Sequence, residues 1–118
     1  MKTFIIYHNP HCSKSRAALE ILRQHHVTVE IVEYLKTPLD TARLKSLLQK
    51  LGLSALDILR DSEAEFRKLH LDAPGKTEAD LLAAIAQHPV LLQRPIIERG
   101  ARAVIGRPPE RVQELLDG

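Results

Sequence analysis

The spacing of apolar and polar positions in the first third of the chain predicts a strand, a helix and a second strand. Residues 3–8 form an apolar, β-prone run that is typical of a buried strand. Residues 27–33 alternate between apolar and polar side chains and include β-branched ones, which predicts another strand. Between them, four apolar residues recur at helical spacing: Ala18, Leu19, Ile21 and Leu22. This order is typical of a βαβ unit.

Helix signals then dominate residues 38–92. Thr37 is a predicted N-cap, Pro38 suits the first helical position, and Gly52 is the predicted stop. The helix between them has one apolar face, formed by Leu44, Leu47, Leu48 and Leu51. Nothing in this region resembles a domain boundary, so we expect a helical insertion that shares the core of the surrounding chain.

Further helical stretches are predicted within the insertion. Residues 54–71 should form one or two short helices, whose inward-facing candidates are Leu56, Leu59, Phe66 and Leu69. Thr77 is the predicted cap of the next helix, which ends at His88 and Pro89.

The last quarter of the chain returns to strand-like patterning. Two short β candidates, residues 95–98 and 103–105, flank a predicted turn at Arg99 and Gly100, which favours a hairpin. A final short helix is predicted to begin at residues 108–110.

Together these elements predict an α/β fold of the thioredoxin-like type. It combines a β-α-β unit and a β-β-α unit in one four-stranded mixed sheet. We expect residues 1–118 to form a single domain with a helical insertion at about 38–92. In this layout a proline before the third strand faces the loop after the first, so we expect a cis peptide bond between Arg94 and Pro95.

Composition and charge exclude several classes of protein. The chain has 118 residues, a hydrophobic fraction of 44% and a net charge of +2. Such a mild charge, spread along the chain, argues against nucleic-acid binding, and no apolar run reaches the roughly 18 residues of a membrane span. A single cysteine excludes an intramolecular disulfide. We expect a cytoplasmic protein that binds neither nucleic acid nor a membrane.

The only cysteine, Cys12, follows the first predicted strand and precedes the first predicted helix. Unpaired N–H groups and a partial positive charge at a helix start favour an anion, so a thiol on the first turn should ionise readily. We therefore predict that Cys12 is a nucleophile. Ser15 stands where a dithiol protein has its second cysteine, so an external thiol must regenerate Cys12 after any redox step.

Neighbouring polar residues are candidates for controlling the thiol. His8 ends the first predicted strand and could hold Cys12 as thiolate, electrostatically or through a hydrogen bond. The Ser15 hydroxyl is a second candidate for a bond to the thiolate. A metal site made from His8, His11 and Cys12 lacks a second ligand pair, so we predict no metal.

Three arginines are candidates for binding an anion beside the thiol. Arg94 precedes the predicted cis-proline, Arg107 follows the last predicted strand, and Arg60 lies in the insertion. The planar guanidinium fork suits a tetrahedral oxyanion. Positive charge is also needed to bring such an anion next to a thiolate, because the two repel each other.

Four separated motifs resemble those of the glutaredoxin-coupled arsenate reductases and their close bacterial relatives. The similarity covers nearly the whole chain. The motifs are Ile6-Tyr7-His8-Asn9-Pro10-x-Cys12-x-x-Ser15-Arg16, Tyr34-Leu35-x-Thr37-Pro38, His88-Pro89-x-Leu91-Leu92-x-Arg94-Pro95-Ile96 and Gly106-Arg107-Pro108.

This resemblance implies a thiol-dependent reduction of arsenate to arsenite. Cys12 would attack arsenate to give a thioarsenate ester, glutathione would attack next, and glutaredoxin would resolve the mixed disulfide. Glutathione is then a co-substrate, and no cofactor is tightly bound. The predicted catalytic residues are Cys12 and His8. The predicted substrate-binding residues are Arg60, Arg94, Arg107, Asn9 and Ser15.

The loop around Cys12 differs from that of the best-characterised arsenate reductases, which have Pro-Ala-Cys-Gly-Thr-Ser-Arg. This chain has His11, Ser13 and Lys14 at three of those positions, and in this it resembles a housekeeping branch of the family. Two alternatives therefore stay open. One is a glutathione-linked thiol protein with little arsenate turnover, and the other is a polymerase-binding regulator of the same fold.

Overall fold

The computed structural model describes residues 3–117 and contains four strands and five α-helices within that range. The strands are β1 (Phe4–Tyr7), β2 (Val29–Val32), β3 (Ile96–Arg99) and β4 (Arg102–Ile105). The helices are α1 (Ser13–Gln24), α2 (Thr41–Leu51), α3 (Ala64–Lys68), α4 (Glu78–Gln87) and α5 (Gln113–Leu116). None of the helices in the described range is long and apolar enough to cross a membrane.

The four strands form one mixed sheet in the order β2-β1-β3-β4. β1 pairs in parallel with β2, and β3 runs antiparallel to both β1 and β4. The parallel pair needs a crossover, which α1 supplies, whereas β3 and β4 are joined by a short hairpin. This arrangement confirms the predicted α/β, thioredoxin-like fold.

The chain divides into two compact units. The first, here called the sheet unit, runs to Thr37 and resumes at Arg94, and it contains all four strands. The second, the helical unit, comprises Pro38–Gln93 and contains α2, α3 and α4. Its bounds agree with those of the predicted insertion. That the whole chain behaves as a single domain stays a prediction.

One face of the sheet packs against α1 and the C-terminal helical segment to form the core of the sheet unit. The alternation of side chains along a strand places every second residue on this face. The core residues are Phe4, Ile6, Ala18, Leu19, Leu22, Ile97, Val104, Val112 and Leu115. Because these side chains anchor both ends of β1 and the middle of α1, the loop between them has a fixed start and a fixed end.

In the helical unit, α2 begins later than the sequence predicts. Asp40 is the N-cap, and its carboxylate accepts a hydrogen bond from the backbone N–H of Arg43 at 2.8 Å, so Thr37 and Pro38 lie outside the helix. Asp is as good a cap as Thr, and the local pattern therefore offered two possible starts. The predicted stop at Gly52 is confirmed, with φ of 70°.

The remaining segments match the predictions with small differences. Leu56 is 55% exposed rather than inward-facing, since residues Ala55–Ile58 form a 3-10 turn that buries its two ends instead. The hairpin turn lies at Gly100 and Ala101, because Arg99 and Arg102 are still paired. A 3-10 turn over Pro109–Val112 precedes α5, so the final helix starts later than predicted. Thr77 caps α4 as predicted.

Candidate active site around Cys12

Cys12 is the N-cap residue of α1, immediately before the first turn on which the sequence placed it. Its backbone is extended, with φ of −101° and ψ of 122°. The Cys12 N–H donates to the Asn9 carbonyl at 3.0 Å, which closes the loop after β1. The thiol is unpaired with any other cysteine and partly exposed. It is therefore positioned at the open end of a helix and accessible to a reactant.

The electrostatic surroundings of the sulfur favour the thiolate. Burial raises the pKa of the Cys12 thiol, but hydrogen bonds from the backbone N–H of Ser15 and from the side chain of Arg94 lower it. A further bond from the Lys14 backbone N–H and the charge of Arg94 act in the same direction. The net result is a pKa below the ordinary value of a cysteine. The sequence predicted the helix start as a cause, whereas it assigned Arg94 only to the binding of an oxyanion, and the structure places both at the sulfur.

Ser15 connects Cys12 to His8. Its side chain is fully buried, and its hydroxyl lies 2.7 Å from Nδ1 of His8. The same oxygen accepts a hydrogen bond from the Asn9 N–H at 3.0 Å. The predicted contact between Ser15 and the thiol is thus made by the backbone N–H, while the hydroxyl joins the start of α1 to the end of β1.

His8 is buried at the end of β1, with 6% of its surface exposed. Burial lowers the pKa of its imidazole; Glu33 partly opposes this shift, whereas Arg23 and Arg16 add to it. The neutral form of the ring is therefore favoured. Of the two predicted ways in which His8 could act on the thiol, this favours a hydrogen-bonded route through Ser15 over direct attraction between charges.

Asn9 shapes the loop that carries the thiol. Its side-chain oxygen accepts a hydrogen bond from the backbone N–H of His11 at 3.0 Å, which is the geometry of an Asx-turn. Its role in binding substrate stays a prediction.

Two of the three candidate arginines lie together in the sheet unit. The peptide bond between Arg94 and Pro95 is cis, as predicted, and the bond between Arg107 and Pro108 is cis as well. The guanidinium of Arg107 donates to the Arg94 carbonyl at 3.1 Å. Gly106 is required for this approach, because a Cβ there would lie 2.9 Å from Cγ of Pro95. The loops before β3 and after β4 therefore bring the Arg107 guanidinium to the backbone of Arg94.

Arg60 belongs to the helical unit. Its backbone N–H donates to the Leu91 carbonyl at 2.7 Å, and its guanidinium lies 3.5 Å from the Glu63 carboxylate. Most of its side chain is shielded from solvent, with 18% exposed. Its contact with an oxyanion remains a prediction.

Sequence reasoning missed the part played by Arg16. Its guanidinium donates to the carbonyl of Pro10 at 2.8 Å, which ties the first turn of α1 back to the Cys12 loop. The available signal was an arginine four residues after the cysteine, since that spacing returns a helical side chain to the start of its own helix. Across residues 3–117, no three or more His, Cys, Asp or Glu side chains are grouped as a metal site.

Taken together, the sheet unit presents a partly exposed sulfur with a lowered pKa, two helix N–H donors and a guanidinium beside it. Such a set can stabilise a sulfur nucleophile and can attract an anionic reactant to it.

Comparisons of the sequence and of the structure with known proteins agree on one family. The ArsC family model matches residues 7–115. An arsenate reductase of Neisseria meningitidis serogroup A is 46% identical over 112 residues, which make up 94% of this chain and 96% of the relative. The Escherichia coli protein named Uncharacterized protein YfgD is 44% identical over 112 residues, which are 94% of each chain.

A solved structure shares the fold closely. The arsenate reductase from Vibrio cholerae superimposes with a TM-score of 0.93 at 38% sequence identity, and the match covers 96% of this chain and 97% of that one. The similarity therefore extends over both units and is not confined to the cysteine loop.

Proposed function

The chain belongs to the ArsC family, and on that basis we propose that it is a thiol-dependent oxidoreductase that reduces arsenate to arsenite. The observation that carries the proposal is the surroundings of the Cys12 sulfur. A backbone N–H at the start of α1 and the Arg94 side chain both bond to it and lower its pKa. A nucleophile and a cation that can hold an oxyanion are thereby side by side.

The first proposed step is attack of the Cys12 thiolate on arsenic. A sulfur–arsenic bond forms, one arsenic–oxygen bond breaks, and the departing oxygen leaves as water after taking up protons. Arsenic stays pentavalent in this step. Arg94, whose side chain bonds to the sulfur, and Arg107, whose guanidinium donates to the Arg94 carbonyl, would neutralise the oxyanion as it meets the thiolate. Asn9 would keep the loop closed.

The second proposed step reduces the arsenic and needs an external thiol. The thiolate of glutathione attacks the Cys12 sulfur, and the sulfur–arsenic bond breaks with its electron pair remaining on arsenic. Arsenite leaves, and Cys12 is joined to glutathione in a mixed disulfide. A thiol of glutaredoxin then attacks the glutathione sulfur and frees the Cys12 thiolate. The presence of a single cysteine in the chain supports an external reductant of this kind.

Arsenate reduction measured with glutathione and glutaredoxin tests this proposal. The wild-type chain should turn over arsenate, and Cys12→Ser should show only the background rate. Turnover in the wild type no higher than in Cys12→Ser would refute the proposal.

Mass spectrometry of Cys12 in the same reactions distinguishes the main alternative. A mixed disulfide with glutathione at Cys12 in the absence of arsenate turnover would instead indicate a glutathione-linked thiol protein. The loop residues His11, Ser13 and Lys14, which differ from those of the best-characterised arsenate reductases, are the observation that favours this second candidate.

A further inference from the structure

A concave groove lies beside the Cys12 loop in the sheet unit, between α1 and the end of β2. We call it the α1–β2 groove. Its volume is about 450 Å³, which is within the range of about 300–1,000 Å³ that small-molecule sites occupy. The residues of its wall that matter here are His8, Arg16, Glu20, Arg23, Ile31 and Glu33.

The charges in this groove alternate in sign. Arg16, Glu20 and Arg23 share one face of α1, because they are spaced four and three residues apart. Glu33 adds a second carboxylate from the other wall. Arg16, Arg23 and Glu33 all act on the pKa of His8, which lines the same groove. Two cations and two anions suit a ligand that itself carries charges of both signs.

The groove also has an apolar surface. Ile31 is 42% exposed there although it lies within a strand, and Leu19 contributes from α1. Apolar surface accompanied by a few charged groups is typical of a site that binds a small molecule.

One end of the groove adjoins the loop that carries the thiol. Pro10 is part of the groove wall, and its carbonyl accepts the 2.8 Å hydrogen bond from Arg16. The Arg16 backbone N–H donates to the Cys12 carbonyl at 3.0 Å. This bond of Arg16 to Pro10 uses one of the five N–H donors of a guanidinium. Arg16 therefore fixes the border between the groove and the Cys12 loop.

We infer that the α1–β2 groove binds glutathione and presents its thiol to the Cys12 loop. Glutathione has two carboxylates, which match the arginines at the two ends of the α1 face. Its one ammonium group matches the carboxylates of Glu20 and Glu33. This inference rests on the proposed use of glutathione as reductant, and it adds where that reductant binds.

Other occupants fit the groove less well. An inorganic oxyanion would meet the carboxylates of Glu20 and Glu33 as well as the arginines, and like charges repel. A folded protein partner needs roughly 800 Å² of surface on each side, which a groove of this size does not provide by itself.

The inference can be tested without turnover, using S-methylglutathione, which cannot form a disulfide. Backbone amide signals of the wild-type protein should shift at Glu20, Arg23 and Ile31 when this compound is titrated in. Arg23→Gln should weaken its binding at least about tenfold, the effect of losing one charged hydrogen bond. The matched control is Arg67→Gln, which removes another arginine from the last turn of a helix and should change binding less than about twofold.

Kinetics provide the second readout. Arg23→Gln should raise the KM for glutathione at least about tenfold and leave the KM for arsenate unchanged. With a small neutral thiol such as dithiothreitol as reductant, Arg23→Gln and wild type should be equally active. Equal loss with both reductants would overturn the inference, because the arginine would then act on the thiol chemistry itself.

The outcomes separate this inference from the proposed function. Amide shifts confined to residues around Pro95, together with glutathione-dependent arsenate turnover, would refute glutathione binding in the α1–β2 groove. The proposed reaction would still stand. If S-methylglutathione binds in the groove but the protein does not reduce arsenate, the inferred glutathione site would be supported and the proposed reaction refuted. Groove shifts caused by glutaredoxin but not by S-methylglutathione would show a protein-docking surface and overturn the inference.

Discussion

The starts of α1 and α4 differ in how their backbone N–H groups are used. At α4, the hydroxyl of Thr77 accepts from the Asp80 N–H at 3.1 Å, and the Asp80 carboxylate accepts from the Thr77 N–H at 3.0 Å. At α1, the N-cap side chain is the Cys12 thiol, and the first turn contains no acidic residue. The N–H groups of Lys14 and Ser15 donate to its sulfur and lower the pKa of the thiol.

This difference shows one backbone feature serving two purposes. In the helical unit, the donors at the start of α4 are satisfied locally, which stabilises the helix. In the sheet unit, the donors at the start of α1 stabilise a thiolate that must remain reactive. In both places an anion is held by backbone N–H groups, since bonds from Thr77 lower the pKa of Asp80 just as bonds from Ser15 and Lys14 lower that of Cys12.

The largest effect is expected from Cys12→Asp, which would turn the start of α1 into one like that of α2. Arsenate reduction should fall at least about a thousandfold, because the nucleophile is gone. The free energy of unfolding should nevertheless exceed that of Cys12→Ala by about 0.5–2 kcal/mol, because Asp is a favoured N-cap. Urea denaturation measures this difference. Equal stability of the two variants would mean that the N–H groups at the start of α1 need no anion.

A smaller effect is expected from removing the guanidinium at the sulfur. Arg94→Ala should reduce kcat/KM for arsenate by about 10- to 150-fold, equivalent to about 1.5–3 kcal/mol for a charged hydrogen bond. It should also raise the pKa of Cys12, because Arg94 lowers it. Arg107→Ala should weaken arsenate binding within the same range. The exposed Arg67 supplies the control Arg67→Ala, and equal activity of Arg94→Ala and this control would contradict the assignment.

The smallest effect is expected from removing the N-cap of α4. Thr77→Ala should lower the free energy of unfolding by about 1 kcal/mol, because it removes the hydroxyl cap of α4. The pH dependence of Cys12 alkylation should not change, since the cap of α4 has no part in holding the thiolate. A shifted alkylation profile in Thr77→Ala would show that the two helix starts are not independent.

Local signals account for what could be predicted of the fold. The start of α4 was predictable because Thr77 and Asp80 both lie within one helical turn and satisfy each other's N–H groups. The start of α2 was placed too early because Thr37 and Asp40 are both good caps, and sequence alone does not decide between them. The alternation in β1 and the spacing in α1 were sufficient to predict the βαβ unit, because both reflect burial on one face.

The candidate site was predictable only in part. Cys12 and the start of α1 are adjacent in sequence, so their relation could be read directly. The bond from Arg107 to the Arg94 carbonyl joins residues 13 apart through a cis-proline loop and the strands β3 and β4, and no local pattern encodes it. The link between His8 and the Ser15 hydroxyl likewise depends on how β1 and α1 pack together.

The pH dependence of Cys12 alkylation by iodoacetamide tests the central claim most directly, because only the thiolate reacts. The same chain unfolded in urea supplies the control, and its alkylation midpoint should lie at pH of about 8.5, the pKa of a free thiol. The folded protein should react with a midpoint clearly below that of the unfolded chain, in keeping with the lowered pKa of Cys12. A folded-state midpoint equal to or above the unfolded one would contradict the claim that the open start of α1 and Arg94 hold the thiolate.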